Sequence, residues 1–235
     1  MTKGFFVTGS DTGVGKTIIT AALIRAANIL GLRTCGMKPI ETGCRKTGNG
    51  ILLPTDGMFL REAAGMGGSL DLVTPLRFES PLAPLPASER EGRPVDLDEV
   101  RKSFAQLSER YDAVIVEGLG GLLAPIKRDY FVLDLARDIG LPVVVVARPA
   151  LGTINHTLLT VNYAMREGLT VAGVILNYSS PPMNDLAEKS NPEVIQQLSP
   201  VPLIGIFPHL LDLGKKTIEK AVVENLNMEI IGKYL

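Results

Sequence analysis

Phe5-Phe6-Val7-Thr8-Gly9-Ser10-Asp11-Thr12-Gly13-Val14-Gly15-Lys16-Thr17 decides how this chain folds. The apolar run predicts a strand and the glycine-rich stretch a turn. The Ile-, Leu- and Ala-dense segment that follows predicts a helix over 16–30, ended by Gly31. A strand that feeds a glycine loop into a helix N-terminus makes an anion cradle, because glycines let backbone N–H groups converge and the first helical N–H groups lack intrahelical acceptors. In such a loop Lys16 reaches the terminal phosphates of a nucleotide and the Thr17 hydroxyl ligates Mg²⁺. The usual spacing G-x-x-x-x-G-K-[ST] calls for glycine at position 10. Ser10 stands there and Gly9 comes one residue early, so the loop is one residue longer than standard.

Outward from this stretch, short apolar runs alternate with helical patterns, the signature of βαβ units. Further strands are expected at 34–38, 113–117, 142–147, 171–177 and 203–207. All are rich in Val, Ile or Leu without alternation, as strands buried on both faces should be. Helices are expected at 96–107, 131–139, 154–167 and 183–198. The proline-rich stretch 75–94 reads as a long loop, of the kind that serves as a lid or a subunit contact. The fold class that results is α/β: a doubly wound, mostly parallel sheet with helices on both faces, in one domain spanning residues 1–235.

Composition narrows the function. The 235 residues carry 24 basic and 25 acidic side chains, a net charge of -1. A nucleic-acid partner would call for a basic excess, so none is expected. The longest apolar runs, such as 141–147, are too short to span a bilayer, and no membrane partner is expected. Two cysteines, Cys35 and Cys44, match no metal or redox spacing and suggest a reducing, cytoplasmic setting.

In a doubly wound sheet, ligands sit beyond the carboxyl ends of the strands. Lys38 ends the second strand and would bring a second cation to the crevice, although a lysine at a strand end is also compatible with plain solvation. Asp56 precedes a helix-like segment, as a first-turn acid or as a carboxylate of the Mg²⁺ shell. Glu117 ends the apolar run 113–116 and meets the turn Gly118-Leu119-Gly120-Gly121, where phosphoryl-transfer enzymes of this kind hold a metal-binding carboxylate. Lys16, Thr17, Lys38 and Glu117 thus come from three strand ends able to face one crevice, which points to ATP with Mg²⁺ and to a nucleotide-hydrolase type of fold built on a phosphate loop.

These stretches, in this order, resemble the signatures of the dethiobiotin synthetase family. FFVTGSDTGVGKT is similar to the family's extended phosphate loop, and Met37-Lys38-Pro39-Ile40-Glu41-Thr42-Gly43 to its second signature. Val116-Glu117-Gly118-Leu119-Gly120-Gly121 and Gly152-Thr153-Ile154-Asn155-His156 are similar to its third and fourth. The resemblance runs from residue 5 to about 208 and implies a MgATP-dependent ligase. That enzyme carboxylates 7,8-diaminopelargonate with CO₂ or bicarbonate to a carbamate, phosphorylates it and closes a cyclic urea. It implies Gly13, Val14, Gly15, Lys16 and Thr17 on the phosphates, with Thr17, Asp56 and Glu117 around Mg²⁺. Thr12, Lys16 and Lys38 are the implied catalytic groups, Thr42 and Gly118 lie by the substrate, and Asn177 and Pro208 lie at the adenine. Gly152 and Asn155 would hold the substrate carboxylate from the other subunit of a homodimer; His156 receives no role. The sequence departs from the family's pattern at Ser10, at Leu119 (usually a small residue) and in Glu79-Ser80-Pro81-Leu82-Ala83-Pro84, which lacks a histidine.

Two other readings share the phosphate loop. Partitioning and positioning ATPase switches carry a signature lysine where this chain has Asp11, and cobyrinate-type amidoligases generally bear an attached glutaminase domain for which 235 residues leave no room.

Overall fold

Strands of Val, Ile and Phe without polar alternation need cover on both faces, and the chain supplies it. In the computed structural model, which describes residues 2–65, 67 and 69–235, six strands form one sheet. They are β1 (Lys3–Gly9), β2 (Thr34–Met37), β3 (Ala113–Glu117), β4 (Val143–Ala147), β5 (Val171–Asn177) and β6 (Leu203–Phe207). The order is β6-β5-β4-β1-β3-β2, and every neighbouring pair is parallel.

Alternate residues of each strand serve opposite faces. Phe5, Val7, Ile115, Val144, Val146 and Ile175 join one core cluster with α1 (Lys16–Ile29), α2 (Thr55–Ala64) and α7 (Lys215–Asn225). Phe6, Val114, Val116, Val143, Val145 and Val174 join the other, under α3 (Leu97–Arg110), α4 (Val132–Ile139), α5 (Thr153–Arg166) and α6 (Leu186–Leu198). The sheet is therefore doubly wound, as expected. β1 sits between β3 and β4, and the chain leaves toward opposite sides of it, so a crevice opens at the carboxyl ends of β1 and its neighbours. Among the described residues, no helix is long and apolar enough to cross a membrane.

The proline-rich stretch 75–94 corrects an expectation, because it is not an unstructured loop. Leu76–Arg77 pairs in parallel with Ile40–Glu41, and Pro84–Glu91 is a helix ended by Gly92 in the left-handed region (φ 62°). Pro84 stands in the first turn, where a missing N–H costs nothing and the fixed φ already suits the helix. Helix α6 starts three residues later than expected. Asp185 caps it, and Glu188 ties the backbone N–H groups of Met183 and Asn184 outside it.

Helix α2 is held to the sheet by Leu60, which is fully buried and faces Gly36 on β2. Leu60→Ala should cost about 2–5 kcal/mol, lowering Tm by roughly 4–20 °C for a chain of this size. Thermal unfolding of the purified variant measures it.

Candidate active site

The loop between β1 and α1 is shaped by its own backbone. Gly13 (φ 75°) and Gly15 (φ 85°) both occupy the left-handed region, and Gly15 is also crowded by the amide nitrogen of Asn177, so a Cβ there has no room. Asn177 Nδ2 donates to the Val14 carbonyl at 2.8 Å, which pins the loop to the end of β5. Asp11 pins the other side: Oδ1 accepts from the Thr12 N–H at 2.7 Å, and Oδ2 accepts from Arg148, just past β4, at 2.7 Å. Gly15 brings no side-chain cap to α1, so the helix end keeps its first N–H groups for an anion.

Lys16 folds back over this cradle, donating to the Asp11 carbonyl at 3.3 Å. Burial, and then the ammonium of Lys38, pulls its pKa down to about 8.

A compact charge cluster lies alongside. Lys38 Nζ is 2.6 Å from Glu117 Oε1 and 3.1 Å from Asp56 Oδ2, and it also reaches the Gly118 carbonyl at 3.4 Å. Thr17 Oγ1 donates to the same Glu117 oxygen at 2.9 Å. Burial alone would lower Lys38, but Glu117 and Asp56 outweigh it and hold the ammonium charged, above its ordinary range. Burial raises Glu117, and Lys38 opposes that rise. The remaining carboxylate oxygen, Glu117 Oε2, is buried without a hydrogen-bond partner. An orphaned buried carboxylate oxygen beside the Thr17 hydroxyl and Asp56 suits a hard divalent cation, and Mg²⁺ takes one or two carboxylates and completes its shell with phosphate oxygens and water. Among the described residues no group of three or more His, Cys, Asp or Glu is gathered.

Three cavities adjoin at the strand ends. A crevice of about 310 Å³ contains Lys16, Lys38, Glu117 and Thr42. It shares Gly15, Thr17 and Asp56 with a pocket of about 420 Å³ between Phe59, Asn177 and Pro208. On its other side it shares Thr12, Thr42, Leu119 and Gly120 with a cavity of about 480 Å³ closed by Pro81, Leu82 and Ala124. A polar centre flanked by two apolar chambers can hold the phosphates of a nucleotide, its base and a second small molecule along one line.

The family described as "AAA domain" matches residues 3–217. The "ATP-dependent dethiobiotin synthetase BioD" of Thermodesulfovibrio yellowstonii is 48% identical over 98% of this chain and 99% of its own length. The protein of the same name from Bacillus subtilis (strain 168) is 39% identical over 97% of each chain. This chain belongs to the dethiobiotin synthetase family. Solved structures agree on the fold. The septum site-determining protein MinD of Pyrococcus horikoshii, complexed with Mg-ADP, superposes with a TM-score of 0.53 at 19% identity, covering 95% of this chain and 96% of its own. The cell division ATPase MinD of Pyrococcus furiosus does so with 0.54 at 17%, covering all of both chains.

The expected residues are distributed over the crevice, its adjoining pocket and a separate groove, with Val14 and Gly118 set apart. Thr12, Gly13, Gly15, Lys16, Thr17, Lys38, Thr42, Asp56 and Glu117 are brought together around the central crevice. Asn177 and Pro208 line the adjoining pocket. Val14 joins through its carbonyl, while its side chain is buried in the core. Gly118 does not line the crevice: its N–H donates to Val7 O, its carbonyl faces Lys38, and Phe6 packs where a Cβ would stand. Gly152 and Asn155 lie apart, in a separate groove of about 710 Å³ beside Leu151 and Leu159. Two residues escaped the sequence reading, Arg148 and Glu41. Both stand at strand ends, the same signal that singled out Lys38 and Glu117.

The lowered Lys16 sets a pH dependence. Phosphates stabilise the charged ammonium, so nucleotide binding raises its pKa and takes up a proton above about pH 8. Calorimetric titration with ADP should therefore give an affinity that falls by up to about tenfold per pH unit above pH 8, whereas the terminal phosphate of ADP, with a second pKa of about 6, governs the change at lower pH. Measured in buffers of different ionisation enthalpy, binding above pH 8 should be accompanied by uptake of up to one proton.

Proposed function

We propose that this chain is an ATP-dependent dethiobiotin synthetase whose single domain closes a cyclic urea from 7,8-diaminopelargonate and CO₂. The observation that carries the reading is the convergence of Lys16, Thr17, Lys38 and Glu117 in one crevice with a chamber on either side, in a chain 48% identical to a protein of that name over nearly its whole length.

The reaction begins when one amine of the diamine adds to CO₂ and gives a carbamate. A carbamate oxygen attacks the γ-phosphorus of ATP, the bond to the β-phosphate oxygen breaks, and ADP leaves. The second amine then attacks the carbamoyl carbon and expels phosphate. The substrate supplies every nucleophile, so the protein needs none. Its two thiols, Cys35 and Cys44, are both buried and pushed up to about 12, and take no part.

What the chain supplies is position and charge. The N–H groups of residues 13–17 and the Lys16 ammonium hold the phosphates. Lys38 remains charged between the transferring phosphoryl group and the carbamate, where negative charge accumulates. Thr12 and Thr42, shared by the crevice and the third cavity, orient the carbamate end. Asn177 meets the adenine: with its amide nitrogen committed to Val14, it offers the oxygen to the exocyclic amine, and Pro208 packs nearby. Gly118 supports Lys38 through its carbonyl rather than touching substrate. Thr17, Asp56 and Glu117 would hold Mg²⁺, which would supply positive charge to the phosphates.

Gly152 and Asn155 serve the carboxylate of the substrate from a second copy of the chain, in a homodimer. Their separation from the crevice within one chain, and the exposed Leu151 and Leu159 beside them, support that arrangement. Two free, buried cysteines fit a reducing cytoplasm.

Phosphate release from MgATP should require both 7,8-diaminopelargonate and bicarbonate, with one phosphate per dethiobiotin detected by mass. Lys16→Ala and Lys38→Ala should each lower the rate at least 10²-fold, on the order of losing one preorganised charge contact to the transition state. Hydrolysis indifferent to the diamine would contradict the reading.

A further inference from the structure

Glu41 lines the central crevice beside Lys38 and Thr42, yet both of its carboxylate oxygens are engaged elsewhere. It ends the short strand Ile40–Glu41, three residues past Lys38 and one before Thr42, and is only 4% exposed. Its side chain turns to the start of α2. Oε1 accepts from the Asp56 N–H at 3.0 Å and from Thr55 Oγ1 at 3.3 Å, and Oε2 accepts from the Gly57 N–H at 2.9 Å. Pro54, the residue that precedes α2, offers no side-chain cap. Without Glu41 these first N–H groups, which have no intrahelical acceptor, would lose their partners. The cap is thus supplied from another strand, as a carboxylate at the positive end of the helix; burial raises its pKa, and the Gly57 and Asp56 N–H groups oppose that rise.

The consequence appears at Asp56. Its backbone N–H is bound to Glu41, while its side chain, more than a third exposed, reaches across to Lys38 at 3.1 Å. The direction of that half-solvated carboxylate is set by where its backbone is pinned. The pin comes from the same five-residue segment that supplies Lys38. Segment 38–42 therefore fixes both the cation and the acid that faces it.

We infer that Glu41 is a positioning residue for the divalent-metal site: by capping α2 from the neighbouring strand it holds Asp56 in register with Thr17 and Glu117. The inference rests on the MgATP reading above. Coupling between metal and nucleotide depends on Glu41, whereas nucleotide binding as such does not. Glu41→Ala frees the helix end, and Asp56 loses its fixed direction. Glu41→Gln keeps the shape and one acceptor oxygen, but turns an NH₂ group toward a backbone donor.

The test is the affinity for ADP, measured by calorimetry with Mg²⁺ and again with chelator, for the unmodified chain, Glu41→Ala, Glu41→Gln and Leu107→Ala, a core truncation on α3 at the opposite face of the sheet. Binding of Mn²⁺ to the ADP complex, followed by electron paramagnetic resonance, gives a second readout. The ratio of the two ADP affinities should fall about tenfold in Glu41→Ala, the scale of losing a group that orients a metal ligand. The metal-free affinity should be unchanged, Glu41→Gln should fall between, and Mn²⁺ binding should weaken in parallel. Leu107→Ala should lower Tm and keep the ratio. An unchanged ratio in Glu41→Ala, an equal loss with and without metal, or an equal loss of the ratio in Leu107→Ala would overturn the inference. An unmodified chain whose ADP affinity ignores Mg²⁺ would overturn the MgATP reading itself.

Discussion

The buried ion pair between Lys38 and Glu117 is the constraint on which the site depends. Lys38 is 5% exposed and Glu117 1%, so neither charge has water to fall back on. Removing one partner from such a pair typically costs about 3–5 kcal/mol, because the other is left uncompensated. The sheet makes the pairing possible. Met37 on β2 lies opposite Val116 on β3, so the next residue of each strand projects past the sheet edge beside the other. One carboxylate oxygen then takes Lys38 and Thr17 together, which ties the second and third strands to the start of α1. The other oxygen is buried without a hydrogen-bond partner.

That arrangement explains how a fold shared with division-site ATPases can serve a ligase. MinD and this chain superpose in fold at under 20% identity, so the fold alone says nothing of the chemistry. In this chain Asp11 anchors the phosphate loop to Arg148 past β4. A second cation reaches the crevice from the end of the second strand, within reach of a cavity large enough for a small organic substrate.

Much of this was legible in the chain. The boundaries of β3, β5 and β6 follow from apolar runs that stop at Glu117, Asn177 and Phe207. The crevice followed from the rule that ligands bind beyond strand ends. What escaped depends on partners far apart in sequence. The strands Ile40–Glu41 and Leu76–Arg77 are two residues each, too short to show a period, and only their mutual pairing defines them. The helix Pro84–Glu91 was hidden by prolines that mark its start rather than forbid it. Glu41 reads locally as a strand-end acid, because its acceptor role exists only once α2 is packed beside it. The direction of the Gly118 peptide, toward Val7 and Lys38 rather than the crevice, likewise needs three strands in place.

The central claim is that phosphate is transferred to a carbamate held between Lys38 and the phosphate loop. The most direct measurement uses ¹⁸O-labelled bicarbonate in a short reaction with MgATP and 7,8-diaminopelargonate, followed by mass analysis of the released phosphate. If the carbamate oxygen attacks phosphorus and departs with it, phosphate formed together with dethiobiotin carries one ¹⁸O atom. Phosphate that carries only oxygen from ATP and water would contradict the account.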